Sequence, residues 1–148
     1  MKYMMGYCGV ECSKCPAYIA TINNDDSLRR QYAAEQSEFY GIEITPEKIN
    51  CVGCCDDGEH LGYCSMCEIR DCCRKRGLAT CAECPEYVCD ELDKVYTVMR
   101  DVFGKEEGGF AEAKVNLDKI RNKKPGAEIC ARMRINRIGD DRHYITML

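Results

Sequence analysis

No stretch of this chain approaches the roughly 20 consecutive apolar residues that a membrane-crossing helix needs. Residues 1–9 hold no apolar run long enough for a signal peptide, and Cys8 stands where that run would be. The chain has no P-loop, no GxGxxG turn, no GxSxG elbow and no HExxH helix. Each of these absences removes the usual frame for a phosphate cradle, a dinucleotide site, a serine nucleophile or a zinc protease. Histidine is scarce: His60 and His143 are the only two, and neither has a motif partner, so both read as solvated. Alternating apolar and polar residues are rare, which leaves little room for strands. No internal repeat and no low-complexity tract appears. These absences lead us to expect a cytoplasmic, mainly α protein with little β, formed as one domain over residues 1–148.

What the chain has instead is cysteine, 14 in 148 residues. A domain of this length can build a core without staples. In a reducing compartment, paired thiols two residues apart favour metal or redox chemistry over a disulfide framework. Two such residues let one short loop present two sulfurs to one ion.

The charge is uneven. Residues 1–112 carry 12 Lys/Arg against 21 Asp/Glu, net −9, whereas residues 113–148 carry 9 against 4, net +5. An acidic, thiolate-bearing body is a poor match for nucleic acid. The basic C-terminal segment, 123–148, reads as a solvated face or a tail lying on that body, with contact to an anionic partner as the alternative.

Helix signals are clear. Residues 17–23 suit a short helix, and the N-cap cluster Asn24-Asp25-Asp26-Ser27 precedes Leu28, Tyr32, Glu35 and Phe39 at helical spacing, with Gly41 as a stop. Thr45-Pro46-Glu47 starts a short turn. Residues 51–63 read as loop, and residues 68–76 as a two-turn helix ended by Gly77. Val88, Leu92, Val95, Met99 and Val102 draw one apolar stripe on a helix expected from Glu86. Phe110, Ala113, Leu117 and Ile120 repeat it, which predicts a helical hairpin over 86–122. Ile129, Met133 and Ile138 suit one more helix, and residues 144–148 a strand or docked tail.

The cysteines sort by spacing into three sets. The tightest is Cys51, Cys54, Cys64 and Cys67, two CxxC knuckles joined by a Gly-rich loop, the pattern of a tetrahedral zinc site. The second is Cys72, Cys81, Cys84 and Cys89, where Cys73 competes with Cys72 and Cys89 is expected one turn into the long helix. The third is Cys8, Cys12 and Cys15, a CxxxCxxC that three-thiolate iron–sulfur sites also use. The chain is too short for the barrel of a radical enzyme with that spacing, and the full ferredoxin run is absent. A fourth ligand for the third set would come from Cys55, Cys73, His60 or Cys130. Cys130 reads as a packing residue. A free catalytic thiol, with Cys72 and Cys73 best placed beside Arg70, Arg74, Lys75 and Arg76, is the weakest reading, because metal-held thiolates are not free nucleophiles.

These motifs appear in order as Cys-Gly-x-x-Cys-x-x-Cys-Pro-Ala-Tyr at 8–18, Phe-Tyr-Gly-Ile at 39–42 and Ile-Asn-Cys-x-Gly-Cys at 49–54. Tyr-Cys-x-x-Cys-x-Ile-Arg-x-Cys at 63–72 and Cys-Ala-Glu-Cys-Pro-Glu-Tyr-x-Cys-x-x-Leu at 81–92 follow. The set resembles a cysteine-rich prokaryotic family of unknown function, numbered 3795, over roughly residues 5–100. The resemblance implies a small metal-binding protein and marks Cys8, Cys12, Cys15, Cys51, Cys54, Cys64, Cys67, Cys72, Cys81, Cys84 and Cys89. It leaves out Cys55, Cys73 and Cys130, and Val88 stands where the family often has Pro.

The expected function is that of a binding or adaptor module with two or three structural zinc ions and a protein partner, rather than an enzyme. An iron–sulfur protein for electron transfer or redox sensing is the alternative.

Overall fold

The computed structural model describes residues 4–103 and 112–122. The segment around Gly104–Gly109, Cys130, His143 and the expected C-terminal helix and tail lie outside the described residues. Within them the chain is helical, with no strand. Five α-helices, α1 (Pro16–Asn23), α2 (Asp26–Tyr40), α3 (Glu68–Arg76), α4 (Asp90–Phe103) and α5 (Ala113–Asn122), alternate with irregular loops. Four 3-10 turns, Cys12–Lys14, Pro46–Lys48, Gly62–Met66 and Cys81–Glu83, interrupt those loops.

Local chemistry explains the helix ends. Pro16 opens α1 where its missing N–H costs nothing. The Asp25 carboxylate caps α2 by accepting from the Leu28 N–H at 2.9 Å. Gly41 (φ 65°) and Gly77 (φ 68°) close α2 and α3 in the left-handed region that a side chain disfavours. After α3 the Gly77 N–H reaches the Arg74 carbonyl, and the Leu78 N–H reaches the Cys73 carbonyl at 2.9 Å.

Helix α4 begins four residues later than the stripe predicts. Residues 86–89 stay outside it, and the first two are engaged elsewhere. Glu86 pairs with Arg76 at 3.0 Å, and the Tyr87 hydroxyl donates to Asp118 at 2.5 Å. Cys89 therefore precedes α4 rather than lying a turn inside it, and its carbonyl accepts the Asp93 N–H.

Two apolar clusters organise the molecule. The larger joins Tyr7 and Ile69 with Leu92, Val95 and Met99 of α4 and Leu117 of α5. Half a dozen cysteines are part of it. The smaller gathers Ala17, Ala33, Ile49 and Cys51 where α1 meets α2. The stripes on α4 and α5 thus point into one core. Helix α5 also lies on the Cys81–Glu83 turn, and Arg121 donates to the carbonyls of Ala82 (2.9 Å) and Cys84 (3.0 Å).

The first cysteine loop is held from a distance. The Tyr96 hydroxyl of α4 donates to the Cys8 carbonyl at 2.7 Å, and Asn116 of α5 donates to the Gly9 carbonyl at 3.0 Å. Gly9, at φ 90°, lets α5 approach this closely. Thr21 of α1 ties down the next loop by accepting the Cys51 N–H at 2.9 Å.

Candidate metal centre

The thiols assemble into two groups. The larger comprises Cys8, Cys12, Cys15, Cys51, Cys54, Cys64 and Cys67, and it mixes two of the sets that spacing separates. The sulfurs of Cys12 and Cys54, 42 positions apart in the chain, lie together against Gly6. Cys8 lies in the field of Cys54, Cys64 and Cys67, and Cys15 in that of Cys51. Cys54 is thus a thiol neighbour of Cys12 that spacing alone does not suggest. His60 is half-buried and bonded through Nε2 to the Gly53 carbonyl at 3.0 Å, so it is not the freely solvated ring expected.

Gly6 shapes this meeting. A Cβ at that position would stand 3.2 Å from the Cys54 sulfur and 3.4 Å from the Cys12 sulfur. A side chain there would crowd both sulfurs, which would have to give by a few tenths of an ångström.

The electrostatics are those of thiols pressed together with cations at the edge. Contact with Cys12 lowers the Cys54 thiol against the opposing effect of burial, with help from the Tyr7 N–H and from Arg70 and Arg74. The same contact, then burial, pushes Cys12 up. Burial first and neighbouring thiolates second push Cys64 up to about 12. Burial raises Cys8, Cys15 and Cys67 too. At Cys15 and Cys67 the first-turn N–H groups of α1 and α3 offset part of that rise.

Helix α3 supplies the cations. Arg70 donates to the Cys64 carbonyl at 2.8 Å, and Arg74 to the Cys54 carbonyl at 3.3 Å and the Asp57 carboxylate at 2.5 Å. They sit at i and i+4 on one face of α3, so both serve the larger group rather than Cys72 and Cys73.

The smaller group is Cys72, Cys73, Cys81, Cys84 and Cys89, which share the wall of a cavity of about 280 Å³. Cys73 and Cys81 bring their sulfurs to 3.6 Å. Arg76 Nη1 lies 3.5 Å from the Cys84 sulfur. Cys72 is exposed whereas Cys73 is 1 % exposed. The residue whose sulfur meets Cys81 is therefore Cys73, which the family pattern leaves out. The signal was in the helix period: Ile69 and Cys73 stand at i and i+4, and both face the core.

As placed, the described side chains form no group of three or more Cys, His, Asp or Glu in the geometry of a metal site. Cys73 and Cys81 are in sulfur–sulfur contact in the smaller group, and Cys12 and Cys54 flank Gly6 in the larger. The donor chemistry nonetheless suits a thiophilic ion: clustered buried thiols, flanking arginines and the space kept by Gly6.

The order of these thiol loops is a family signature. A family model described as "Protein of unknown function (DUF3795)" matches residues 4–94. The chain belongs to the DUF3795 family. The match spans both thiol groups and ends just inside α4, so α5 lies beyond the DUF3795 match. No curated protein and no solved structure matches the chain. No helix among the described residues is long and apolar enough to cross a membrane.

Proposed function

We propose that this DUF3795 chain is a cytoplasmic metal–thiolate protein whose larger thiol group holds structural zinc, and that it works as a binding module for a protein partner. The observation that carries this reading is the convergence of seven thiols from loops up to 59 positions apart in sequence. A zinc ion takes four thiolates at about 2.3 Å. Drawing the sulfurs of Cys8, Cys12, Cys15, Cys51, Cys54, Cys64 and Cys67 onto ions would offset the burial and the mutual repulsion that raise several of them. Arg70 and Arg74 would offset the remaining negative charge. The ion would supply folding free energy, and these loops, short of apolar side chains, would depend on it. The chain's own residues would set the scaffold: Gly6 the space, Thr21 the Cys51 loop, and Tyr96 the Cys8 loop.

The partner surface would be the apolar end of α2 together with the Gly62–Met66 turn. Phe39, Tyr40, Ile42, Tyr63 and Met66 are exposed there, Met66 by 73 %. Tyr40 and Tyr63 both lie within the field of Cys64, so this surface borders the larger thiol group.

The test is anaerobic purification followed by zinc, iron and acid-labile sulfide analysis on one sample. Zinc without iron or sulfide is the expected result. Iron and sulfide in comparable amounts would overturn the zinc reading in favour of an iron–sulfur redox protein. A metal-free protein with native helix content would overturn both.

A further inference from the structure

The smaller thiol group differs from the larger in one respect that matters chemically: it faces a cavity. Cys72, Cys73, Cys81, Cys84 and Cys89 line about 280 Å³ of space beside Arg76. That is one thiol more than a tetrahedral ion requires. The five are graded by depth. Cys73, Cys81 and Cys84 are buried, Cys89 is half-buried and Cys72 is exposed. Cys72 and Cys73 are neighbours on α3, so their side chains leave the helix about 100° apart, which lets both reach one cavity at different depths.

We propose that this cavity is a second, exchangeable site for a thiophilic divalent ion of the zinc class. Cys73, Cys81, Cys84 and Cys89 hold the ion, and Cys72 is the rim thiol through which it enters and leaves. The inference rests on the metal–thiolate reading of the larger group and adds a separate behaviour to it. Cys73 and Cys81 already stand at 3.6 Å, close to the spacing of two sulfurs on one tetrahedral ion at about 2.3 Å from each. Arg76 at the Cys84 sulfur and Arg121 at the Cys84 carbonyl lower the cost of gathering thiolates there. The larger group has no fully exposed thiol: Cys12, Cys15 and Cys64 are half-buried and the other four are buried. The smaller opens to solvent through Cys72. Release of an ion from a thiolate site is fast when an incoming ligand can displace one sulfur at a time, and an exposed spare thiol provides that route.

The test uses the full-length, zinc-loaded protein, prepared anaerobically and mixed with the chelator 4-(2-pyridylazo)resorcinol. Two phases of zinc release are expected, the fast one equal to one ion per chain, as a four-thiolate site requires. Cys81→Ser should abolish the fast phase and leave the slow one. Cys72→Ser should keep the full zinc count and lose the fast phase. Alkylation with iodoacetamide, read by peptide mass, supports the same assignment without a variant. With zinc bound, Cys72 should react while Cys73, Cys81, Cys84 and Cys89 are protected, and chelation should expose all five. An unchanged zinc count in Cys81→Ser, or protection absent at those four thiols, overturns this inference alone. A wild-type protein that carries no metal overturns it together with the reading it rests on. A Cys73–Cys81 disulfide in the anaerobic zinc-loaded protein also overturns it, since a disulfide removes two of the four thiolates.

Discussion

Replacing Gly9 by alanine should destabilise the protein more than the same change at Gly6, Gly41, Gly53, Gly58 or Gly62. A Cβ built there lies 2.2 Å from the Ala113 carbonyl oxygen, 2.9 Å from the carbonyl carbon and 2.8 Å from Leu117 Cγ. The first two are backbone atoms of α5, so no rotamer change relieves them. Helix α5 must retreat by more than about 1 Å to reach ordinary contact distance. Gly9 also sits at φ 90°, where a side chain adds strain of about 1–3 kcal/mol. Forcing a packed helix outward adds about 1–3 kcal/mol more. The expected loss is therefore about 2–6 kcal/mol. Asn116→Ala is the comparator: it deletes only the bond to the Gly9 carbonyl and should cost about 0.5–1.5 kcal/mol. Leu117→Ala, which empties a fully buried position on the same helix, should cost about 2–5 kcal/mol. The assay is urea unfolding followed by circular dichroism on fully reduced protein. Free zinc is held at one concentration throughout, because bound metal adds to apparent stability. A Gly9→Ala protein within about 0.5 kcal/mol of wild type would refute the reasoning, because α5 could not then be seated against this loop.

Other outcomes follow from single contacts. Gly6→Ala should leave helix content unchanged while weakening zinc retention by the larger thiol group, read by chelator competition, since the added carbon crowds both Cys12 and Cys54. Thr21→Val removes the acceptor of the Cys51 N–H and should cost about 1 kcal/mol in the same unfolding assay. Asp25→Ala should cost about 0.5–2 kcal/mol by uncapping α2. Asp118 is held below the usual carboxylate range by Lys114 first and the Tyr87 hydroxyl second. A depressed carboxyl stabilises the fold above its unfolded pKa and loses that contribution as pH falls through its folded one. The stability gap between wild type and Asp118→Asn should therefore be constant near neutrality and close below roughly pH 4, as unfolding curves across pH would show.

The helices were legible in the sequence where their own residues decide them. Asp25, Gly41 and Gly77 act within one turn, so local pattern locates the ends of α2 and α3. The start of α4 was not legible, because Glu86 and Tyr87 answer to Arg76 and Asp118, and Asp118 lies 31 residues away from Tyr87. The same division applies to the thiols. Spacing shows which cysteines share a loop, and it marks both CxxC knuckles around residues 51–67. It is silent on which loops meet, so the contact between Cys12 and Cys54 was hidden. Cys73 is an intermediate case: the family pattern favours Cys72, yet the register of Ile69 and Cys73 on α3 points to the inner residue.

The bond from Asn116 to the Gly9 carbonyl joins positions 107 residues apart. During synthesis at roughly 5–20 residues per second, Gly9 leaves the ribosome on the order of 5–20 s before Asn116 does. The loop that carries Cys8 and Cys12 is made first and receives its last helix contact from α5. For that interval the nascent chain carries these thiols without α5 to hold their loop. The protein's yield in a cell should thus depend on how reducing, and how zinc-replete, the surroundings of the ribosome are.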